Sequence, residues 1–128
     1  MHNAANLRVL SRAFALVVAV HKAGFRESAR AGRRAPGLNP QLLRAVASIS
    51  ANIVEGADQR SPAQFATFLA TAIASASETE HHLRLAVELE LFAADGPGFI
   101  AEVREIRMML HGLRKRVLED AARGQTPH

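Results

Sequence analysis

Apolar residues recur at steps of three and four along most of this chain, and that spacing predicts amphipathic α-helices rather than strands. Four segments show it, at residues 5–23, 40–56, 62–92 and 98–122. In the first segment we expect the core face to contain Leu7, Leu10, Phe14, Val17, Val18 and His21. The fourth segment has the most regular apolar row, which consists of Ile100, Val103, Ile106, Leu110, Leu113 and Val117. Four helices with short connections predict an all-α, up-and-down four-helix bundle, and the length fits one domain over residues 1–128.

Capping and turn residues mark where these helices begin and end. The sequence SPAQ at residues 61–64 has a serine N-cap, a proline at the first helical position and a glutamine at the third, as in a capping box. Asn39 followed by proline is a similar start for the second helix, and Gly56 is a candidate C-terminal cap. Gly24 is expected to end the first helix, which leaves residues 25–39 as an arginine-rich loop that can hold one helical turn near residues 27–31.

Two of the helical segments are almost free of charge. Residues 45–54 and 61–77 contain no Lys, Arg, Asp or Glu. A surface helix of a small monomer normally keeps a charged outer face, so we expect these helices to be covered on most sides. This predicts a homo-oligomer whose subunits meet through small side chains that allow close approach. The candidates are Ala66, Ala70, Ala74 and Ser75.

Composition excludes several classes of protein. The chain has no cysteine, which excludes disulfides, thiolate metal sites and cysteine nucleophiles. No apolar run reaches the roughly 20 residues of a membrane span. Arg8 and Arg12 interrupt the first twenty residues at helical spacing, which favours a first helix over a signal peptide. We therefore expect a cytoplasmic protein without membrane contact.

The charge balance points to an anionic partner. The formal net charge is +4, and 14 of the 16 basic residues are arginine, whose planar group matches phosphate. The candidate nucleic-acid-binding residues are Arg30, Arg33 and Arg34 in the loop and Arg104, Arg107 and Arg114 on the fourth helix. Without Tyr or Trp to stack on bases, binding would depend on the nucleic-acid backbone and on salt. The alternative is that acidic neighbours such as Glu102 and Glu105 pair with these arginines on an ordinary solvated face.

A polar motif runs along the second and third helices. Ser48, Asn52 and Glu55 share one face of the second helix, and Ser75, Glu78 and His82 share one face of the third. If these faces meet, they form a polar layer inside the bundle or between subunits, where hydrogen bonds offset the cost of burial. We interpret the motif as structural, setting helix register or a subunit contact. The alternatives are a ligand or active site, and two glutamates that are simply solvated.

No catalytic motif emerges from the sequence. Glu78 and His81 form one Glu-x-x-His pair, to which Glu55 can add a carboxylate, but di-iron bundles use two such pairs. There is no G-x-S-x-G motif, phosphate-binding glycine loop or dinucleotide fingerprint. We expect a protein that is not an enzyme and that has no catalytic residue, cofactor or metal. A bundle enzyme using Glu55, Glu78 and His82 is the third-ranked hypothesis.

The middle of the chain resembles a known family. The motifs that carry the resemblance are S-I-x-x-N-I-x-E-G at residues 48–56, then Arg60-Ser61, Phe65, and S-x-x-E at residues 75–78. In these motifs the chain is similar to the four-helix bundle proteins encoded within intervening sequences of bacterial 23S ribosomal RNA genes, also called ribosomal protein S23. The resemblance covers about residues 38–91. Mild departures are Val54, residues 57–59 and Ala74.

The resemblance implies a cytoplasmic bacterial protein that assembles as a ring of five subunits, in a family with no established enzymatic activity. The family is also related to the accessory protein of diversity-generating retroelements, a basic pentamer that binds nucleic acid and the reverse transcriptase. The leading expectation is therefore an oligomer that binds RNA or DNA through arginines of the ring. The alternative is a protein-interaction scaffold that docks a partner such as a polymerase or reverse transcriptase.

Overall fold

Four helices make up the described part of the protein. The computed structural model describes residues 4–31 and 38–124, with side chains for 5–27 and 40–124. The helices are α1 (Ala4–Ala31), α2 (Leu38–Ala57), α3 (Pro62–Glu88) and α4 (Gly96–Gly124), and no β-strand occurs within those ranges. The all-α, four-helix architecture predicted from apolar periodicity is confirmed.

The helices are arranged up and down. Each packs against its neighbours in the chain, α1 closes against α4, and the diagonal pairs α1–α3 and α2–α4 do not meet within the described residues. α3 and α4 are antiparallel, because Glu80 late in α3 contacts Arg104 early in α4, whereas Ala66 contacts Arg114. Contacts between α1 and α4 also run in opposite order. The first turns of α1, the α2–α3 turn and the last turns of α4 therefore lie at the same end.

The core follows the predicted rows in α2, α3 and α4. Of the α4 row, all but Ile100 are buried. Side chains that are less than 2% exposed include Phe65, Leu42, Ile49, Ile53, Leu69, Leu83, Ile106 and Leu110. Burial of an aliphatic or aromatic side chain of this size contributes about 1.5–3 kcal/mol, so these rows hold the bundle together.

In α1 the predicted core face was wrong for three of its six residues, whereas Leu10 and Val17 do pack against the core. The structure buries Val9, Ala13, Leu16, Val20 and Ala23, and leaves exposed three of the residues that we assigned to the core. The exposed three are Leu7, Phe14 and Val18. The cause is that α1 is apolar around most of its circumference, and its neighbours cover only one part of it.

Two helix ends also differ from prediction. α1 continues through Gly24 to Ala31, so part of the predicted loop is helical. A glycine inside a helix costs only about 1 kcal/mol, and Ala23 and Gly24 are buried there. α3 ends at Glu88, four residues early. The backbone turns back at Glu90 (φ 63°), and the Leu91 amide donates to the Ala86 carbonyl at 2.8 Å, which carries Leu91 into the core.

The predicted start of α3 is present. The Ser61 hydroxyl accepts a hydrogen bond from the Gln64 amide at 3.2 Å, with Pro62 in the first turn. This cap satisfies one of the backbone amides that a helix start leaves without a partner.

Candidate functional site

The polar motif forms a hydrogen-bonded network between α2 and α3 of a single subunit. The hydroxyl oxygens of Ser48 and Ser75 lie 2.8 Å apart. The Asn52 side-chain amide donates to the Ser48 carbonyl at 2.8 Å and to its hydroxyl at 3.0 Å. Thr79, which is fully buried, donates to the Ser75 carbonyl at 2.8 Å. The network pairs polar groups that would otherwise be costly inside the bundle.

The two glutamates of the motif lie outside this network. Glu55 and Glu78 are exposed. Glu78 Oε1 lies 3.4 Å from Nε2 of His82, whose Nδ1 is buried without a hydrogen-bond partner. The structure thus separates the carboxylates from the buried Ser–Asn–Ser cluster.

Gly56 belongs to the same helix contact. It lies in the last turn of α2 and is buried, rather than capping the helix beyond its end. A Cβ atom on Gly56 would lie 2.7 Å from Cδ1 of Phe65 and 2.8 Å from Cβ of Phe68. The missing side chain lets α3 approach α2 closely at this level.

A second cluster, between α3 and α4, is centred on the carboxylate of Glu80. Glu80 accepts from Nε of Arg84 and of Arg104 at 3.0 Å and pairs with Arg107 at 2.7 Å. Burial opposes ionisation of this carboxyl, but the hydrogen bonds from Arg107 and Arg104, with the charges of both groups, outweigh it. The pKa of Glu80 consequently lies below its ordinary value.

These contacts bear on the hypothesis that Arg104, Arg107 and Arg114 of α4 bind nucleic acid. Arg104 and Arg107 are held by Glu80, and Arg107 also reaches the Ser77 hydroxyl at 3.5 Å. Arg114 donates to the Ala66 carbonyl at 3.0 Å. All three guanidinium groups are turned toward α3 and serve the packing of the two helices. Sequence reasoning missed the role of Glu80 because two of its three partners, Arg104 and Arg107, lie 24 or more residues away along the chain.

Other cations are exposed without an acidic partner among the described side chains. Two of these cations, Lys22 and Arg44, lie late in α1 and early in α2. The other four, which we call the basic end, are Arg8, Arg60, Lys115 and Arg116. The antiparallel order of the helices brings them toward one end of the bundle. Of the loop candidates, Arg33 and Arg34 lie outside the described residues, and Arg30 lies on α1 with its side chain outside them.

The predicted interface residues divide into two groups. Ala66 is 2% exposed and Ser75 is 7% exposed, so both are buried within their own subunit and leave almost no surface for another. That part of the prediction is wrong. Ala70 and Ala74 are exposed on the outer face of α3, together with Thr67 and Thr71.

Within the described residues, no three His, Asp or Glu side chains are grouped as metal ligands. A shallow groove of about 560 Å³ lies between α3 and α4. It is lined by His81, Arg84, Leu85, Val87, Glu88, Pro97, Ile100 and Arg104. Its floor is apolar and its rim is mainly basic.

No helix in the described part is long and apolar enough to cross a bilayer.

The fold and this site define a four-helix bundle protein with a polar α2–α3 seam. The chain belongs to the 23S rRNA-intervening sequence protein family, which residues 5–112 match. The predicted family is therefore confirmed. Among curated proteins, none matches the chain.

A solved structure shares the fold. It is the crystal structure of a protein with unknown function from the S23 ribosomal protein family of Bacteroides thetaiotaomicron. The two chains are 24% identical, the similarity covers 87% of this chain and 98% of that one, and the TM-score is 0.78.

Proposed function

We propose that this protein is a non-enzymatic bundle protein of the bacterial cytoplasm that binds the phosphate backbone of RNA or DNA. The observation that supports the proposal is the basic end, where Arg8, Arg60, Lys115 and Arg116 have no acidic partner among the described side chains. Unpaired arginine and lysine at a surface bind phosphate by charge and hydrogen bonds.

Binding of this kind is expected to be modest in each subunit. Asp58 and Glu119 are exposed at the same end and lower the positive potential. Self-association would repeat the four cations, and each added phosphate contact raises affinity. We propose a homo-oligomer, a ring of five as the family resemblance implies, that uses the uncharged outer face of α3 around Ala70 and Ala74.

The test is a salt titration with two matched double variants. Fluorescence anisotropy would follow labelled RNA and DNA of mixed sequence across a salt series. Arg60→Ala/Arg116→Ala is expected to weaken binding and to reduce the salt slope by roughly two phosphate contacts. Arg104→Ala/Arg107→Ala removes the same charge but is expected to have a smaller effect, because Glu80 already neutralises those groups.

Two results would count against this proposal. Wild-type protein that shows no salt-dependent binding to either nucleic acid would remove the function. A larger loss from the Arg104 and Arg107 variant than from the Arg60 and Arg116 variant would move the binding surface to the α3–α4 contact around Glu80.

A protein-interaction scaffold is the second candidate, and the α3–α4 groove favours it. The apolar lining residues Leu85, Val87 and Ile100 fit an apolar segment of a partner protein. A purified polymerase or reverse transcriptase from the same cell would be the probe. Nucleic-acid-free binding that is lost in Leu85→Arg would favour the scaffold over the nucleic-acid binder.

A further inference from the structure

The α3–α4 groove combines an apolar lining with hydrogen-bonding groups from two helices. Its volume of about 560 Å³ lies within the range of roughly 300–1,000 Å³ that is typical of small-molecule sites. Two of its lining residues are the arginines Arg84 of α3 and Arg104 of α4. Its apolar lining consists of Leu85, Val87, Pro97 and Ile100. The groove thus has the size and the mixture of groups that suit a small amphipathic molecule.

Glu80 holds both arginines of the groove in place. Nε of Arg84 and Nε of Arg104 donate to the same carboxylate oxygen, Oε2 of Glu80, each at 3.0 Å. Since each Nε lies 3.0 Å from one shared oxygen, the two Nε atoms are at most 6.0 Å apart. Oε1 of Glu80 is paired with Arg107 at 2.7 Å, and the Glu80 side chain is 12% exposed. A mostly buried carboxylate therefore positions one guanidinium group from each helix beside the other.

Both anchored guanidinium groups keep their terminal donors. A guanidinium has five N–H groups, and Nε–H is only one of them. The Nη atoms of Arg84 and Arg104 have no hydrogen-bond partner among the described residues. Glu80 reduces the net charge of this pair but leaves these donors available, and the N–H groups of arginine bind carboxylates through short, charge-assisted hydrogen bonds. An anion that accepts from both arginines would contact α3 and α4 together.

The charges around the groove match an anion with a single negative charge. The three arginines of the Glu80 cluster face two carboxylates, those of Glu80 and Glu88, so one positive charge is in excess while the groove histidine is neutral. A nucleic-acid backbone carries a charge on every phosphate and has no apolar group to cover the lining. A single carboxylate attached to a hydrocarbon satisfies both the free donors and the apolar lining.

We propose that the α3–α4 groove is a binding site for a small organic monocarboxylate with an aliphatic body. The ligand carboxylate accepts hydrogen bonds from the Nη groups of Arg84 and Arg104, and the hydrocarbon covers Leu85 and Ile100. The groove lies near the α3–α4 turn, whereas the basic end is at the opposite end of the bundle. Carboxylate binding is therefore independent of nucleic-acid binding, but it excludes a protein segment from the same groove.

Chemical-shift mapping by NMR, with octanoate as the probe, tests the site. In nitrogen-15-labelled protein, octanoate below its critical micelle concentration should shift the backbone amides of residues 81–88 and 98–104 in a saturable manner. Octanamide has the same shape without the charge and should bind at least about tenfold more weakly, because it cannot form the charge-assisted pairs. Butyrate should also bind more weakly, since each buried CH₂ group that it lacks reduces the affinity by about two- to fourfold.

Two double variants locate the bound anion. Arg84→Met/Arg104→Met keeps two unbranched side chains but removes both guanidinium groups, and it should weaken octanoate binding by at least about tenfold. Lys22→Met/Arg44→Met is the matched control. It removes the same charge from exposed positions on α1 and α2 that have no acidic partner among the described side chains. The control should bind octanoate as the wild type does, and circular dichroism should show both variants folded.

Leu85→Ser tests the apolar lining in a protein that keeps the Glu80 cluster. Leu85 is 42% exposed, so the fold should tolerate the change, and octanoate should bind at least about threefold more weakly. The carboxylate site would be overturned by the absence of saturable shifts, by equal affinities for octanoate and octanamide, or by equal losses in the two double variants. Displacement of bound RNA or DNA by octanoate would also overturn it. So would a purified partner protein that occupies the groove and that octanoate does not displace.

Discussion

Gly56 of α2 and Phe65 of α3 are in such close contact that a single added methyl group would lie 2.7 Å from the phenylalanine ring. Phe65 is only 1% exposed, so its ring is enclosed by the core. Gly56→Ala should therefore destabilise the protein by about 1–3 kcal/mol through overpacking, despite the better helix propensity of alanine.

Gly112 provides the control for this prediction. A Cβ atom there meets only the end of the flexible Arg116 side chain, at 3.7 Å. Gly112→Ala should stabilise the protein by about 0.5–1 kcal/mol. Urea unfolding followed by circular dichroism at equal protein concentration would measure both. Equal effects of the two substitutions would contradict the role assigned to Gly56.

The Ser48–Ser75 hydrogen bond should show energetic coupling. Each single alanine variant leaves a hydroxyl group without this partner and should cost about 0.5–1.5 kcal/mol. The double variant should cost less than the two single costs combined, by about 0.5–1 kcal/mol. Unfolding free energies of the four proteins in this cycle supply the measurement.

Ser50→Ala is the matched control, because its hydroxyl bonds only to the Ala47 carbonyl of the same helix, at 3.3 Å. It should change stability very little. Strict additivity of Ser48→Ala and Ser75→Ala would show that the network does not link α2 to α3.

Local signals in the sequence were enough to predict α3 and α4. The Ser61 cap is local chemistry, and the α4 row has one apolar arc with charged residues on the other side. α1 could not be oriented in this way, because Leu7 and Phe14 lie on one apolar arc and Val9 and Leu16 lie on another. Which arc is buried depends on α2 and α4, and no pattern within α1 contains that information.

In the candidate site, too, some contacts could be predicted from the sequence and others could not. A contact between Ser48 and Ser75 could be predicted, because each lies on a small polar face of a helix and such faces pack closely. The fate of Arg104 could not be predicted, because it depends on Glu80 lying at the same height on a neighbouring helix. Such long-range pairing requires the register of two helices, which spacing within one helix does not provide.

The lowered pKa of Glu80 predicts how its contribution depends on pH. The pKa of Glu80 is lower in the folded than in the unfolded protein, so its ionised carboxylate stabilises the fold. This contribution to the free energy of unfolding is complete above the ordinary glutamate pKa and is lost as the pH falls through the folded pKa. Glu80→Gln should lower the free energy of unfolding by about 1 kcal/mol at neutral pH, and this difference should vanish in strong acid.

Glu119→Gln is the control for Glu80, since Glu119 is exposed and forms no ion pair within the described residues. Unfolding in urea at a series of pH values would compare both variants with the wild type. If the loss of stability in Glu80→Gln persists unchanged into strong acid, Glu80 stabilises the protein through its shape rather than its charge.

The outer face of α3 makes a last prediction, about assembly. Ala74 is exposed on a surface whose neighbours Ala70, Thr67 and Thr71 are small and uncharged, so Ala74→Arg should leave the subunit folded. If subunits meet there, the long charged side chain separates them, because an unpaired charge in an interface loses its hydration. We expect a lower mass by light scattering, with an unchanged helical circular dichroism spectrum. Ala101→Arg, the same substitution at an exposed site on α4, should keep the wild-type mass. A wild-type mass in Ala74→Arg would exclude this face as the contact between subunits.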